Sequence, residues 1–315
     1  MSDPAAMWQR LRYWSTDRLI RAVIWLMLRL PWRARLGLAA FVLSRIVSPL
    51  AGYGERVRQN LALIMPDMPV AEVRRMMRAV PANLGRTLAE LYSGQEFVAR
   101  VAREPLRGAG VAALEEAHRT RRPVMLVTGH IGNYDAVRGA LIRKGYAVGG
   151  LYREMGNPFF NAHYVAAISR IGTPLFPRGR KGLAEMVRFL RGGGMVGLVL
   201  DQHMGDGAPL SFMGRPAMTA LSAAEMALRY DALVVPTYGL RRPDGGFDIV
   251  IEAPVPPSTP EAMTQALNDS LEVHVRANMD QWLWIHRRWK GDPEAQALMQ
   301  AMARQRQRRA PAPKG

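Results

Sequence analysis

A fold of the α/β class, with a central mixed sheet flanked by helices on both faces, is what this 315-residue sequence predicts, on three observations. Short apolar runs alternate with helix-length segments from about residue 105 to 255. The runs are continuous instead of alternating, the pattern of strands buried on both faces. Gly and Pro punctuate the joins between the two kinds of segment. A chain of this length holds one large domain or two small ones, with an ample core.

Taken in order, residues 55–92 read as helices, "ERVRQNLALIM", "VAEVRRMMRAV" and "ANLGRTLAELY", turned at Pro66–Pro69. "VAALEEAHRT" is a helix, and 124–127 is a short strand, β-branched at both ends and bounded by Pro123 and Gly129. A helix follows from Ala136, with Val137, Ala140 and Leu141 on its apolar face. "AVGGLYR" is a strand, "NPFFNAHYVAAISRIG" a helix, "TPLFP" a strand and "RGRKGLAEMVRFLRGG" a helix closed by glycines. "MVGLVLD" is a strand that ends on Asp201; "TALSAAEMALRYD" is a helix for which Thr219 is a suitable N-cap. "ALVVPTYGLRR" and "FDIVIEAPV" are strands joined by a Pro-Asp-Gly-Gly turn.

The charge is lopsided. Formal net charge is +17, from 43 Lys and Arg against 26 Asp and Glu, which calls for a polyanionic partner. With no Cys, neither a disulfide framework nor a thiolate metal site can form. Residues 1–60 hold ten Arg against Asp3, Asp17 and Glu55. The apolar runs "LIRAVIWLMLRL" and "LGLAAFVLSRIVSPLA" lie in this segment, broken by Arg21, Arg29 and Arg45. Neither supplies the roughly 18 charge-free residues of a spanning helix. Trp8, Trp14, Trp25 and Trp32 among arginines suit a helix lying at the headgroup level. The chain is therefore divided into a basic, apolar, amphipathic helical membrane-association region (1–52), an α/β domain (53–296) and a basic, disordered tail (297–315). A single N-terminal span stays open beside a surface-lying arrangement.

The chemistry-bearing stretch is "PVMLVTGHIGNYDAVRGALI", residues 123–142. His130 and Asp135 sit at a strand-to-helix junction, the usual place for a site in an α/β protein. A carboxylate five residues after an imidazole, across a helix start, can accept one ring N–H and leave the other nitrogen as a general base. Gly132 lets backbone approach a substrate closely, and the helix N-terminus favours an anion. Alone, such a pair also arises by ordinary packing. No phosphate-binding glycine loop, nucleophile elbow or H-E-x-x-H segment is present. His118, His163, His203 and His274 are scattered without ligand spacing, and no metal is expected.

Beyond the pair, "LVTGHIGNYD" resembles the H-x-x-x-x-[DE] block of the glycerolipid and lysophospholipid acyltransferase superfamily. "GLYREMGNP", "LFPRGRKGLAEMVRFLRGGGMVGLVLDQ", "FMGRPAMTALSAAEMALRYDALVVPTYGLRRPDGGFDIVI" and "WLWIHRRWK" follow in order, with "ERVRQNLALIMPDMP" upstream. Within the superfamily the chain is similar to the bacterial lipid A late acyltransferases, the lauroyl and myristoyl transferases, over about residues 55–290. One departure is Asp135, where that subfamily commonly has Glu.

The resemblance implies a glycerolipid acyltransferase-like fold and transfer of an acyl group from a thioester to a hydroxyl of a membrane lipid. His130 would act as general base and Asp135 would orient and stabilise it. Arg178, Arg153, Asp201 and Asn133 are the candidate substrate-binding residues; Asp201, at the end of an apolar strand, could pair with Arg178 or Arg153. Trp284, His286, Arg287 and Arg288 form a late aromatic-basic patch, either docking surface or fold support. No cofactor is implied, because the acyl thioester is a co-substrate. Implied partners are anionic inner-membrane lipids, an acidic acyl carrier protein as donor and a glycolipid or lysolipid acceptor, at the cytoplasmic face of the inner membrane. Alternatives are an acyltransferase for a lysophospholipid or glycosylated phosphoinositide, and a non-catalytic basic membrane-surface protein. Nucleic acid is not an expected partner, since the arginines are fused to Trp-rich apolar runs and no recognition motif is visible.

Overall fold

The computed structural model describes residues 4–309. The chain opens with α1 (Pro4–Leu28), α2 (Trp32–Phe41), a π-helical turn (Val42–Val47), α3 (Ser48–Ala51), α4 (Tyr53–Ile64), α5 (Val70–Ser93) and α6 (Gln95–Val101). The body follows as β1 (Leu106–Arg107), α7 (Val111–Thr120), β2 (Val124–Thr128), α8 (Tyr134–Arg143), β3 (Val148–Tyr152), α9 (Pro158–Ser169), β4 (Leu175–Pro177), α10 (Arg180–Arg191) and β5 (Met195–Val199). A hairpin, β6 (Ala208–Phe212) and β7 (Arg215–Thr219), precedes α11 (Ser222–Arg229), β8 (Leu233–Arg241), β9 (Phe247–Ile251), α12 (Pro260–Ala277) and α13 (Pro293–Arg309).

Seven strands form one mixed sheet in the order β1-β9-β8-β2-β5-β3-β4. β8, β2, β5, β3 and β4 are mutually parallel, and β9 turns back antiparallel on β8. Alternate residues of β2 supply both cores, which is why its sequence is apolar without interruption. Val124 and Leu126 pack with Leu114, Val137, Leu141 and Ile168 of α7, α8 and α9. Met125 and Val127 pack with Met186, Leu190, Ala223 and Leu267 of α10, α11 and α12 on the other face. A third core lies beside Ile131, from α4, α5, the hairpin and the buried Trp282, Trp284 and Trp289.

Some expected boundaries move. Thr219 closes β7, and α11 begins at Ser222, so Thr219 is not its cap. The stretch before it, to which the sequence pattern assigned no element, folds back as a hairpin over Met213 and Gly214, both at positive φ (56° and 77°). Two left-handed central residues are what a tight hairpin turn demands. The boundary expected at 296 falls inside α13, which carries residues 297–309 as helix; residues 310–315 lie outside the described residues.

The N-terminal helices are packed onto the body. α2 lies on α5, where Gly85 permits the approach: a Cβ there would sit 2.4 Å from the Ala39 carbonyl oxygen. Arg35, one of the ten arginines of residues 1–60, is buried; it donates to Glu96 (2.9 Å), Ser93 (2.7 Å) and the carbonyls of Leu28 and Leu30. The four acceptors close the bend between α1 and α2 and bolt it to the end of α5. α1 is held to α9 where Asn157 donates to the Tyr13 carbonyl. The outer face stays apolar: Trp8, Trp14, Trp25, Phe41 and Leu50 are exposed, Leu50 by 85%. Trp32 instead lies half-buried between the guanidinium groups of Arg35 and Arg100. Among the described residues one stretch, Trp32–Ala51, is long and apolar enough to cross a bilayer, and its inner side is covered by α5.

Gly85→Ala is expected to push α2 off α5 at a cost of about 1–3 kcal/mol. The measurement is the midpoint of thermal unfolding together with limited proteolysis. An unchanged midpoint, with no new cleavage between residues 29 and 53, would show that α2 does not depend on this contact.

Candidate functional site

β2 ends at Thr128, and the chain must turn through "GHIGN" before α8 begins. Gly132, at φ 56°, makes that turn under the end of β8: a Cβ would meet the Gly239 carbonyl oxygen at 2.1 Å. The turn is fixed from several sides. Asn133 N–H donates to the Gly239 carbonyl (2.9 Å), Gly132 N–H to the Gln281 carbonyl (3.1 Å), and Leu283 N–H to the His130 carbonyl (3.0 Å). From α5, Asn83 and Thr87 donate to the Gly132 carbonyl at 3.3 and 3.0 Å. Asn133 is itself the N-cap of α8, its Oδ1 accepting from Asp135 N–H, and its amide donates to Glu90 (2.8 Å). Glu90 is fully buried and paired with Arg241. A buried carboxylate in this position has to be matched by a cation, and Arg241 supplies it.

His130 faces Asp201. Its Nδ1 lies 2.7 Å from Asp201 Oδ1, while Asp201 Oδ2 accepts from His130 N–H (2.7 Å) and from the Trp282 indole N–H (2.8 Å). β2 and β5 are neighbours in parallel register, Thr128 opposite Val199, so both strand ends deliver these residues to one point. Burial alone would lower the His130 pKa, but the charge and hydrogen bond of Asp201 outweigh it and raise the ring above its ordinary value. Burial alone would raise Asp201; the His130 charge, with three donors, brings it down to about 2. The pair is thus an imidazole held beside a firmly ionised carboxylate. With Nδ1 engaged, Nε2 is the nitrogen left for the cavity that His130 lines.

That cavity has a volume of about 410 Å³. It runs from His130 along β2, β3 and β5 beneath α8 and α9. Leu126, Val137, Val148, Ile168 and Leu175 make its wall apolar, and Arg153 and Arg178 add cationic groups. Gly150 and Gly197 stand opposite each other in register and line it with backbone only. A methyl group would meet nothing closer than 3.5 Å at Gly150 and 3.7 Å at Gly197. Burial holds Tyr134 and Tyr164, both in the lining, above their ordinary values, Tyr164 at about 12, so their hydroxyls keep their protons.

Three expectations from the sequence change. Asp135 does not face the imidazole; its carboxylate takes Arg138 Nε at 2.8 Å, one helical turn on, and both side chains are under a tenth exposed. Arg138 also donates to the carbonyls of Gly172 (2.9 Å) and Ile168 (3.2 Å), tying α8 to α9 at the cavity wall. Asp201, read as a substrate-binding residue that Arg178 or Arg153 could pair, is the buried partner of His130. Asn133, read as substrate-binding, is buried and fully occupied as a cap. Arg153 and Arg178 do reach the cavity with His130.

Trp282, given no role above, and Arg288, of the patch read as docking surface or fold support, matter here. Trp282 fixes Asp201, and fully buried Arg288 donates to the carbonyls of Gln202 and Met218 and to Thr219 Oγ1. The aromatic-basic segment 282–289 is therefore fold support around the Asp201 turn. Burial lowers the Arg288 pKa to about 10, with the Asp201 charge acting the other way. Trp282 was findable: a buried indole N–H requires an acceptor. Among the described residues no three His, Asp or Glu side chains converge as a metal site.

A His–Asp pair at the carboxyl ends of parallel strands, opening on a largely apolar cavity, is where an α/β fold places a ligand site. The chain belongs to the bacterial lipid A biosynthesis acyltransferase family, whose model matches residues 5–291. It is an O-acyltransferase. It is 26% identical over 293 residues to the lipid A biosynthesis lauroyltransferase of Escherichia coli (strain K12), covering 90% of this chain and 94% of that one. The lipid A biosynthesis palmitoleoyltransferase of the same strain and a lipid A biosynthesis acyltransferase of Shigella flexneri are each 24% identical over 296 residues, covering 91% of this chain and 95% of theirs.

The pair should be visible in solution. His130 carries a raised folded-state pKa, so its stabilising share is complete below the unfolded value, 6.5, and is lost as pH rises through the folded one. Asp201 is depressed, so its share is present above 3.8 and fades as pH falls toward about 2. Nuclear magnetic resonance is expected to show the His130 ring titrating above 6.5, and at lower pH in Asp201→Asn. The same titration in both proteins would mean that Asp201 does not set the imidazole's charge.

Proposed function

We propose that the protein moves a fatty acyl chain from the thioester of an acidic acyl carrier protein to a hydroxyl of a lipid A precursor, at the cytoplasmic surface of the inner membrane. The observation that carries this reading is the His130–Asp201 pair at the mouth of an apolar cavity. In the reaction, His130 Nε2 takes the proton of the acceptor hydroxyl as its oxygen attacks the thioester carbonyl. Asp201 keeps the Nδ1 proton in place and stabilises the imidazolium as it forms. The tetrahedral intermediate then collapses with cleavage of the carbon–sulfur bond. The departing thiolate takes the proton from His130, leaving ester, thiol and neutral imidazole.

The apolar wall suits the hydrocarbon chain of the donor, and Arg178 with Arg153 suits an anionic group such as a phosphate of the acceptor. The placement at a membrane is supported by the exposed Trp8, Trp14, Trp25, Phe41 and Leu50 beside the N-terminal arginines. Exposed aromatic and aliphatic side chains interspersed with guanidinium groups match the boundary between acyl chains and headgroups. Asp135 serves this reading by neutralising Arg138, so that the cavity wall contains no lone buried charge.

Transfer assays with carrier-bound acyl donor and detergent-dispersed acceptor test the assignment. His130→Ala is expected to abolish turnover with the circular dichroism spectrum unchanged, and Asp201→Asn to lower kcat about a hundred- to ten-thousand-fold. Arg178→Ala should raise the KM for acceptor more than it lowers kcat. Asp135→Asn should act first on stability, by about 3–5 kcal/mol, because it leaves Arg138 buried and uncompensated. Full turnover by His130→Ala would sink the general-base role, and full turnover by Asp201→Asn would remove its partner.

A further inference from the structure

A second concave site lies away from the catalytic cavity, between the π-helical turn and the first half of α5. Two adjoining hollows of about 860 and 680 Å³ share Ser44, Arg45, Arg74 and Arg78 in their walls. Arg74 and Arg78 stand four residues apart and so project from one side of α5. Arg45 comes from the π-helical turn, where the widened ring displaces a side chain from the ordinary helical track. That turn is fixed across the hollow by Ser44, whose hydroxyl donates to the Arg78 carbonyl at 2.9 Å. All three arginines are exposed, and among the described residues none has a carboxylate partner. Arg58 also lines the larger hollow, but it is paired there with Glu55 at 2.6 Å, as Arg75 is paired with Glu72 at the rim.

Three exposed guanidinium groups on the wall of one groove, with no carboxylate partner among the described residues, favour an anion there. Phe41 lines the smaller hollow and is 58% exposed, and Ile46 and Leu50, on the same helical run, are 49% and 85% exposed. An anion whose neighbouring part is apolar answers both features at once. We infer that this groove binds one anionic bilayer lipid, its phosphate among Arg45, Arg74 and Arg78 and its chains against Phe41 and the small apolar Ala71, Ala79 and Ala82 that line the same hollow. An acidic protein would satisfy the arginines and leave the apolar edge in water. The inference builds on the membrane placement proposed above, and it differs from general attraction because it names a saturable site.

The test uses the purified full chain and dihexanoyl phosphatidylglycerol below its critical micelle concentration, read as a shift of the thermal midpoint. Flotation on phosphatidylcholine vesicles with and without phosphatidylglycerol runs alongside. The wild-type chain is expected to show a saturable shift with the lipid and none with inorganic phosphate at the same concentration. R45Q/R74Q/R78Q is expected to lose about tenfold or more in apparent affinity, while R10Q/R12Q/R33Q, which removes equal charge from α1 and α2, stays within about twofold. Equal losses in the two triples would reduce the effect to net charge and overturn the site. An equal shift with inorganic phosphate would overturn the lipid as occupant. So would loss, in R45Q/R74Q/R78Q, of carrier-protein binding with lipid binding intact. Flotation separates the two readings: a wild-type chain that ignores anionic vesicles sinks the membrane placement, whereas normal flotation with no saturable shift sinks the groove alone.

Discussion

A carboxylate buried at the end of an apolar strand is costly unless both oxygens are hydrogen-bonded and a positive charge stands close by. Asp201 meets both conditions with His130 N–H, His130 Nδ1 and the Trp282 indole, and much of the local architecture exists to hold those donors in place. The segment 282–289 packs its tryptophans around the spot, and Arg288 secures the chain that leaves Asp201. On the other side the His130 turn is clamped by α5 and by the end of β8. Because one oxygen takes the backbone and the other the ring, His130 cannot shift without breaking both bonds. The imidazole is therefore set in advance of any substrate, which is the form electrostatic preorganisation takes here.

The fold was legible because the sheet is buried on both faces. That condition writes continuous apolar runs into β2, β5 and β8, and no surface helix imitates them at that length. The β6–β7 hairpin was missed because Pro209 and Pro216 read as loop, although Met213-Gly214 carries the turn. The position of His130 just past the end of β2 was legible from the strand before it. Its partner was not, since Asp135 is near in sequence while Asp201 is 71 residues away. Only the adjacency of β2 and β5 brings Asp201 to His130, and strand order is not written in local spacing. Arg138, three residues beyond Asp135, was the readable sign that this acid was already engaged.

Charge in the N-terminal third was misread in one instructive way. A count of arginines treats Arg35 as one more cation on a diffuse basic surface, but both its terminal nitrogens are spent on the bend after α1 and on α5 and α6. Arg45, Arg74 and Arg78 are the opposite case, cations with no internal duty. Composition cannot separate the two, because both contribute equally to the +17. Packing does, by asking where each guanidinium finds its acceptors.

The glycine row at the cavity wall has a consequence for how such enzymes diverge. Where a chamber is bounded by large interlocking side chains, enlarging or shrinking it disturbs neighbours and costs stability. At Gly150 and Gly197 the boundary is main chain, with ordinary space beyond each α-carbon. One methyl group added at either position removes volume from the chamber and strains nothing around it. A single nucleotide step can thus reshape the chamber, with the His130–Asp201 pair, the sheet and the clamp left untouched.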